Sequence, residues 1–196
     1  MKTTYSRTFL TSMAVLLLAL LAVGIFLRAL LDDYLTDNAF NRLEKNARVI
    51  TDLTAAYYSK DSLTSMEYLM NLDIAGQLSD ADTVVCDSSG AILLCSEDPL
   101  GCGHQGLTVG QEFTDRVMEQ GWAKETGVIQ GLYTENRYVY AAAVRDRDGQ
   151  PLGIVIVSCS ENATKAVLHK MTDLYITLSC LVIVFSVGLI GLFVHR

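Results

Sequence analysis

The sequence predicts an α+β protein, a five-stranded antiparallel sheet with a long N-terminal helix, set between two membrane-spanning helices. Three observations carry that prediction. Phe9–Leu27 is 19 residues without a charge and Leu174–Val194 is 21, and roughly 20 apolar helical residues cross the hydrocarbon core of a bilayer. Between these runs, apolar residues first recur at helical spacing and then gather in short β-rich runs joined by Asp- and Gly-containing turns. The order is long helix, two strands, helix, three strands, exit helix, with mostly hairpin connections. That order gives an antiparallel sheet with helices on one face rather than a doubly wound parallel sheet.

The chain therefore divides into a cytoplasmic N-terminus (1–8), a first span (9–31), an extracytoplasmic domain (32–172), a second span (173–194) and the start of a cytoplasmic region (195–196). Lys2 and Arg7 before the first span and Arg196 after the second place both termini inside a plasma (inner) membrane and the domain outside. Arg28 and Lys170 weaken that signal without reversing it, and Arg28 can snorkel to the outer interface. MKTTYSR would suit a signal peptide. The apolar run behind it is longer than a usual signal core and leads into a helical pattern instead of a small-residue cleavage site, so an uncleaved anchor is expected. All 22 acidic residues lie within 32–173 with 11 of the 15 basic ones, a balance of −11. Nucleic acid, which needs Lys/Arg-rich surfaces, is excluded as a partner.

Thr36–Tyr58 reads as helix. Phe40, Leu43, Ala47, Ile50, Thr54 and Tyr57 form a narrow apolar seam on an otherwise polar helix that continues from the first span. The seam suits either the domain's own sheet or a second copy in a parallel dimer. Ser65–Leu78 is a second helix. Asp82–Asp87 and Ala91–Cys95 are strands around the turn Asp87-Ser88-Ser89-Gly90. Ser96–Gly110, rich in Gly and without periodicity, is a loop, and Gln111–Gln120 is a short helix ended by Gly121. Strands are expected at Glu125–Leu132, Arg137–Val144 and Leu152–Ser158, the last two joined by Asp146-Arg147-Asp148-Gly149. From about Ser160 a helix leads to the second span, with Glu161 favouring its positive end.

Two stretches carry a resemblance. Thr83–Ser96, TVVCDSSGAILLCS, is similar to the strand–D-x-x-G–strand opening of a PAS-like core, and Arg147–Ser158, RDGQPLGIVIVS, to its closing strand with the preceding Gly turn. Placed in this order between two spans, they make the chain resemble the Cache (PDC-type, PAS-like) sensor region of bacterial sensor histidine kinases and chemoreceptors. The resemblance implies one sheet holding a small extracellular ligand, often a carboxylate or amino acid. It also implies a parallel homodimer through the long helix and a displacement of the exit helix on binding. Such receptors continue into a kinase or methyl-accepting domain. These residues hold no catalytic histidine block and no Gly-rich ATP-binding motif, so the output, a histidine kinase by this resemblance, is expected from a following segment or from a cytoplasmic partner.

Outside the cytoplasm thiols oxidise. Cys86, Cys95, Cys102 and Cys159 allow three pairings that sequence does not choose between, and the short Cys95–Cys102 loop is the favoured disulfide candidate. Cys86 and Cys159 suit buried positions on strands, and Cys180 lies within the second span. Cys95, Cys102 and His104 offer soft ligands, but the six-residue gap between the cysteines does not match zinc spacing, and no metal or cofactor is expected. For an anionic ligand the candidate contacts are Arg137, Tyr138 and Tyr140 on the fourth strand, Tyr133 before it, Trp122 at the start of the third, and His104 on its Gly-flanked loop. Strand alternation puts Tyr138 and Tyr140 on one face and Arg137 on the other. The bland alternative makes the tyrosines core and Arg137 solvated. Asp146 and Asp148 read as turn residues, and no nucleophile triad or phosphate loop is present. The competing functional reading is a membrane-anchored extracytoplasmic interaction or scaffold protein without a small ligand. A pocket filled by the protein's own tyrosines would favour it, and an open cavity with an unpaired Arg137 would favour the sensor.

Overall fold

The structure, a computed structural model, describes residues 2–96, 102–129 and 132–195. The chain divides into two compact units, residues 37–163 and residues 1–36 together with 164–196. In order the elements are α1 (Lys2–Tyr58), α2 (Met66–Ser79), β1 (Asp82–Asp87), β2 (Ile92–Cys95), α3 (Gln111–Gln120), β3 (Trp122–Gly127), β4 (Arg137–Arg145), β5 (Pro151–Ser160) and α4 (Glu161–His195).

The second unit is built from parts of α1 and α4, which are long and apolar enough to cross a membrane. Leu17, Leu21, Phe26, Leu181 and Phe185 are exposed, as side chains facing lipid would be. The hydroxyls of Thr11, Thr172, Thr177 and Ser186 each donate to the carbonyl one turn back, which satisfies them without water. The Tyr175 hydroxyl donates to the carbonyl of Leu20 on the other helix. A Cβ at Gly24 would sit 2.7 Å from the Tyr175 ring, so the missing side chain is what lets the ring approach.

Residues 37–163 form the sheet unit. The strand order is β2-β1-β5-β4-β3, antiparallel throughout. β5 is central, and its Ile154-Val155-Ile156-Val157 run is buried on both sides, the pattern of a strand covered on two faces. One face packs on α1 and α2 through Leu43, Ala47, Ile50, Tyr68, Leu72, Val85, Val155 and Val157. The other packs on Phe113 and Val117 of α3, with Cys86, Val139, Ile154 and Ile156. Helices thus cover both faces, which corrects the one-faced arrangement expected from element order. A strand that presents Ile on one side and Val on the other needs two covers, each such side chain contributing about 1.5–3 kcal/mol when buried.

The α1 seam goes to its own sheet. Leu43, Ala47, Ile50 and Thr54 are buried there, and Phe40 meets Tyr138 edge-on at 5.4 Å. Thr54 donates to the Ile50 carbonyl at 2.6 Å, so the Tyr68 hydroxyl, 2.8 Å away, donates to Thr54. Burial pushes the Tyr68 phenol up to about 12, against the smaller opposing effect of Thr54. α2 is capped by Ser65, whose hydroxyl accepts from the Tyr68 amide at 3.3 Å.

The third strand differs from expectation. It spans Trp122–Gly127 rather than Glu125–Leu132. Val128 and Ile129 suggest strand by composition, yet the pairing with β4 stops at Gly127 opposite Arg137, and Ile129 and Leu132 turn into the core. Residues 130–131 of the expected strand, and 97–101 of the expected loop, lie outside the described residues.

The two hairpin turns share one device. Asp87 Oδ1 accepts from the amides of Ser89 (2.8 Å) and Ala91 (2.9 Å), and Asp146 Oδ1 from those of Asp148 (2.9 Å) and Gln150 (2.7 Å). Gly90 completes the first with φ +83°, and a Cβ there would meet Thr114 Oγ1 of α3 at 2.6 Å. Burial alone would raise the Asp87 carboxyl, but the Ser89 hydroxyl and the amides of Ala91, Ser89 and Gly90 together hold it below its ordinary value of 3.8. A depressed carboxyl stabilises the fold above its unfolded value and loses that contribution as acid protonates it. Asp87→Ala should therefore cost about 1–2 kcal/mol at neutral pH and less in acid, the deficit shrinking as the pH falls below 3.8 and through the depressed native value. Urea midpoints at neutral pH and in acid check this, and an unchanged deficit in acid would contradict it.

Candidate functional site

β4 starts at Arg137, and the two-residue period sends successive side chains to opposite faces. Arg137, Val139, Ala141 and Ala143 face α3, while Tyr138 and Tyr140 face α1. Trp122 of β3 shares the Tyr140 side. The two rings stack at 6.0 Å with 4° between planes, and Lys124 lies over Phe40 at 5.5 Å. The six proposed contacts therefore separate. Tyr138, Tyr140 and Trp122 belong to the α1 side, the tyrosines as core and Trp122 47% exposed at the sheet edge. Arg137, Tyr133 and His104 come together on the α3 side.

Arg137 is 8% exposed, so it is not the solvated residue of the bland alternative. Its Nε donates to Ser158 Oγ at 3.2 Å, its Nη1 to Glu135 Oε1 at 2.9 Å and its Nη2 to Asp82. Its guanidinium lies 4.2 Å from the Tyr133 ring centroid, within cation–π range. The sheet register explains the cluster. Asp82 of β1 pairs with Ser158 of β5, and Ser158 with Val139 of β4, so Asp82 and Ser158 share the Arg137 face at one end of three adjacent strands. One guanidinium against two carboxylates gives the cluster a formal charge of −1.

The sequence reading did not find Asp82, Glu135 or Ser158. Glu135 was within reach, two residues before Arg137. The other two depend on β1 pairing with β5, a non-local contact that no local pattern marks.

Tyr133 links this cluster to the loop after β2. Its ring meets His104 edge-on at 6.3 Å. The structure joins Cys95 and Cys102 by a disulfide with Cα atoms 5.5 Å apart, and His104 Nδ1 lies 3.8 Å from Cys95 Sγ. The loop is further held by the Ala91–Thr108 bridge and the Ile92 amide, which donates to the Leu107 carbonyl at 2.9 Å. Cys86, Cys159 and Cys180 are free. Burial, helped by Asp87, pushes the Cys86 thiol up to about 12. Burial raises Cys159 as well, and the nearby Arg42 and Arg137 only partly offset it. Neither is an activated thiol.

No family model matches the chain, and no curated protein matches it. Solved structures do. An extracellular ligand-binding receptor from Desulfohalobium retbaense superposes with a TM-score of 0.54 at 14% identity, over 72% of this chain and 26% of that one. The chain thus spans about a quarter of that receptor's length. The sensor domain of E. coli DcuS gives 0.47 at 10% identity, over 70% of this chain and 96% of that one. The ligand-binding domain of the Campylobacter jejuni chemoreceptor Tlp3, in complex with L-norvaline, gives 0.46 at 13%, over 85% and 63%. At such identities the likeness is one of fold, and with its long helix and 2-1-5-4-3 sheet the sheet unit has a PAS-like, Cache-type fold.

Proposed function

We propose that the chain is the input module of a transmembrane signalling receptor, a sensor histidine kinase or a chemoreceptor. In this reading the sheet domain lies outside the plasma membrane, both termini lie in the cytoplasm, and the domain binds a small extracellular solute bearing a carboxylate, such as an amino acid. The observation that carries the reading is the covalent order. A helix of membrane-crossing length runs unbroken into a PAS-like sheet domain, and the central strand β5 ends at Ser160 with α4 starting at Glu161. With no loop between sheet and exit helix, a change at the β4–β5 end is passed directly to α4. A solute shifts α4 to the extent that it binds one of two states more tightly. The output domain follows α4 or is supplied by a cytoplasmic partner. If two copies associate in parallel, they use surfaces other than the α1 seam, which the sheet already occupies.

The solute site in this reading is the α3-side cluster of Arg137, Tyr133 and His104. Arg137 is already paired, so an incoming carboxylate must displace one of its partners. Glu135 is the one to leave, with a side chain 44% exposed against 30% for Asp82.

The neutralised Arg137 is also the observation that favours the interaction-protein reading, in which the cluster is structural and the partner is another protein. Thermal melting of the full chain in detergent, against a panel of free amino acids and small carboxylates, separates the two. The sensor reading requires at least one solute to raise the melting temperature and Tyr133→Ala to abolish the shift. A flat panel sinks it in favour of the interaction protein.

A further inference from the structure

The loop after β2 brings together three metal-ligating side chains, of which Cys95 and Cys102 serve neither the sheet nor the proposed solute site, while His104 also borders that site. Cys95 Sγ, Cys102 Sγ and a ring nitrogen of His104 all lie within 4.8 Å of one another. We propose that the reduced form of this cluster is a site for a thiophilic divalent cation, Zn2+ being the fitting ion, and that the Cys95–Cys102 disulfide is its closed, metal-free state. This goes beyond the solute-sensing reading and does not depend on it.

The geometry is close to what zinc needs. Zn–S bonds of about 2.3 Å and Zn–N bonds of about 2.05 Å at a tetrahedral angle place a sulfur and a nitrogen ligand about 3.6 Å apart, and two sulfurs about 3.8 Å apart. Cys95 Sγ and His104 Nδ1 are already 3.8 Å apart. The two sulfurs need only part by about 2 Å once the bond between them is gone, and Cα atoms 5.5 Å apart permit it. His104 rides on a loop with room to adjust, since a Cβ at Gly103 or Gly106 would meet nothing within 4 Å. Both cysteines are buried among Ile92, Val109 and Leu132. In such a low-dielectric setting two thiolates, a neutral imidazole and Zn2+ sum to zero charge, which keeps the desolvation penalty small. Three protein ligands leave a fourth position for water. The six-residue gap that argued against zinc in the sequence measures chain separation, and the bridge between Ala91 and Thr108 holds the two flanks of the loop together.

The chemistry balances. A low-molecular-weight thiol reduces the disulfide by two electrons and is itself oxidised to its disulfide, giving two protein thiols. Zn2+ then binds as two protons leave. Reoxidation by a disulfide compound restores the Cys95–Cys102 bond and releases the ion. The site thereby reports thiol redox state and cation supply together.

The test uses the full chain in detergent with Co2+ as a spectroscopic stand-in for Zn2+, before and after reduction by a phosphine. The expected result is uptake of about one equivalent by the reduced protein, with thiolate-to-metal charge transfer and tetrahedral d–d bands, and competition by Zn2+. The oxidised protein and the Cys95→Ser/Cys102→Ser double variant should show neither band. His104→Ala leaves both cysteines and the disulfide in place, and it should weaken binding at least about tenfold. Uptake by the reduced protein no greater than by the double variant, which keeps Cys86, Cys159 and Cys180, would overturn the site. Unchanged affinity in His104→Ala would overturn the three-ligand assignment. A flat solute panel with positive Co2+ uptake would remove the solute reading and leave this one standing.

Discussion

Arg137→Met should lower the stability of the sheet domain by about 3 kcal/mol, the scale on which a buried ion pair loses one partner. The methionine fills much of the apolar stem's volume, so the loss is electrostatic. Asp82 and Glu135 are left side by side at the strand ends with no cation between them, and Ser158 Oγ loses its donor. Urea unfolding followed by the single tryptophan, Trp122, measures the effect, because that ring is stacked on Tyr140 in the folded sheet. The ion-pair account also predicts coupling. Adding Asp82→Asn to Arg137→Met should cost less than the sum of the two single changes, because the second change removes a carboxylate the first had orphaned. Additive losses would mean that Arg137 acts through packing alone. Charge reversal, Arg137→Glu, should be worse still, since it sets three carboxylates together. It therefore tests folding and not solute binding.

Gly153→Ala should be as damaging, at about 3 kcal/mol or the upper end of what overpacking a core produces. Gly153 of β5 lies opposite Asp87 of β1, and a Cβ there would come within 2.3 Å of the Cys86 carbonyl oxygen. The obstructing atom is backbone in a paired strand, so no side chain can swing aside. β1 and β5 would have to separate where the sheet joins its first hairpin to its centre. The same Trp122-detected urea midpoint checks this, with Gly103→Ala as a comparison at a loop glycine without positive φ where an added Cβ meets nothing within 4 Å. A Gly153→Ala protein as stable as wild type would mean that the strands tolerate a wider spacing at this point.

What the sequence made legible was local. Both hairpin turns follow from an Asp whose side chain bonds the amides two and four residues on, an interaction fixed within one short segment. Ser65 capping α2 and α3 ending at Gly121 are of the same kind. The separation of Arg137 from Tyr138 and Tyr140 was legible because strand alternation needs no tertiary information. The rest depended on chain segments far apart in sequence. α3 covering the second sheet face, β3 ending at Gly127, and above all Asp82 reaching Arg137 across β5 are products of strand order and register, which set neighbours across 55 residues. The Cys95, Cys102 and His104 cluster sat between these cases. The residues were visible, but their approach to within 4.8 Å required the fold of the loop.

The central claim, that the α3-side cluster receives a carboxylate by displacing Glu135 from Arg137, is tested most directly by isothermal titration calorimetry. The solute is the carboxylate that gives the largest melting shift, and Glu135→Gln is compared with wild type. Removing the competing charge while keeping the side chain's size should tighten binding by about tenfold, the worth of one partly exposed charge-assisted contact. Equal or weaker binding by Glu135→Gln would contradict the claim and place the solute elsewhere, and absence of binding heat in both proteins would reject the sensor reading itself.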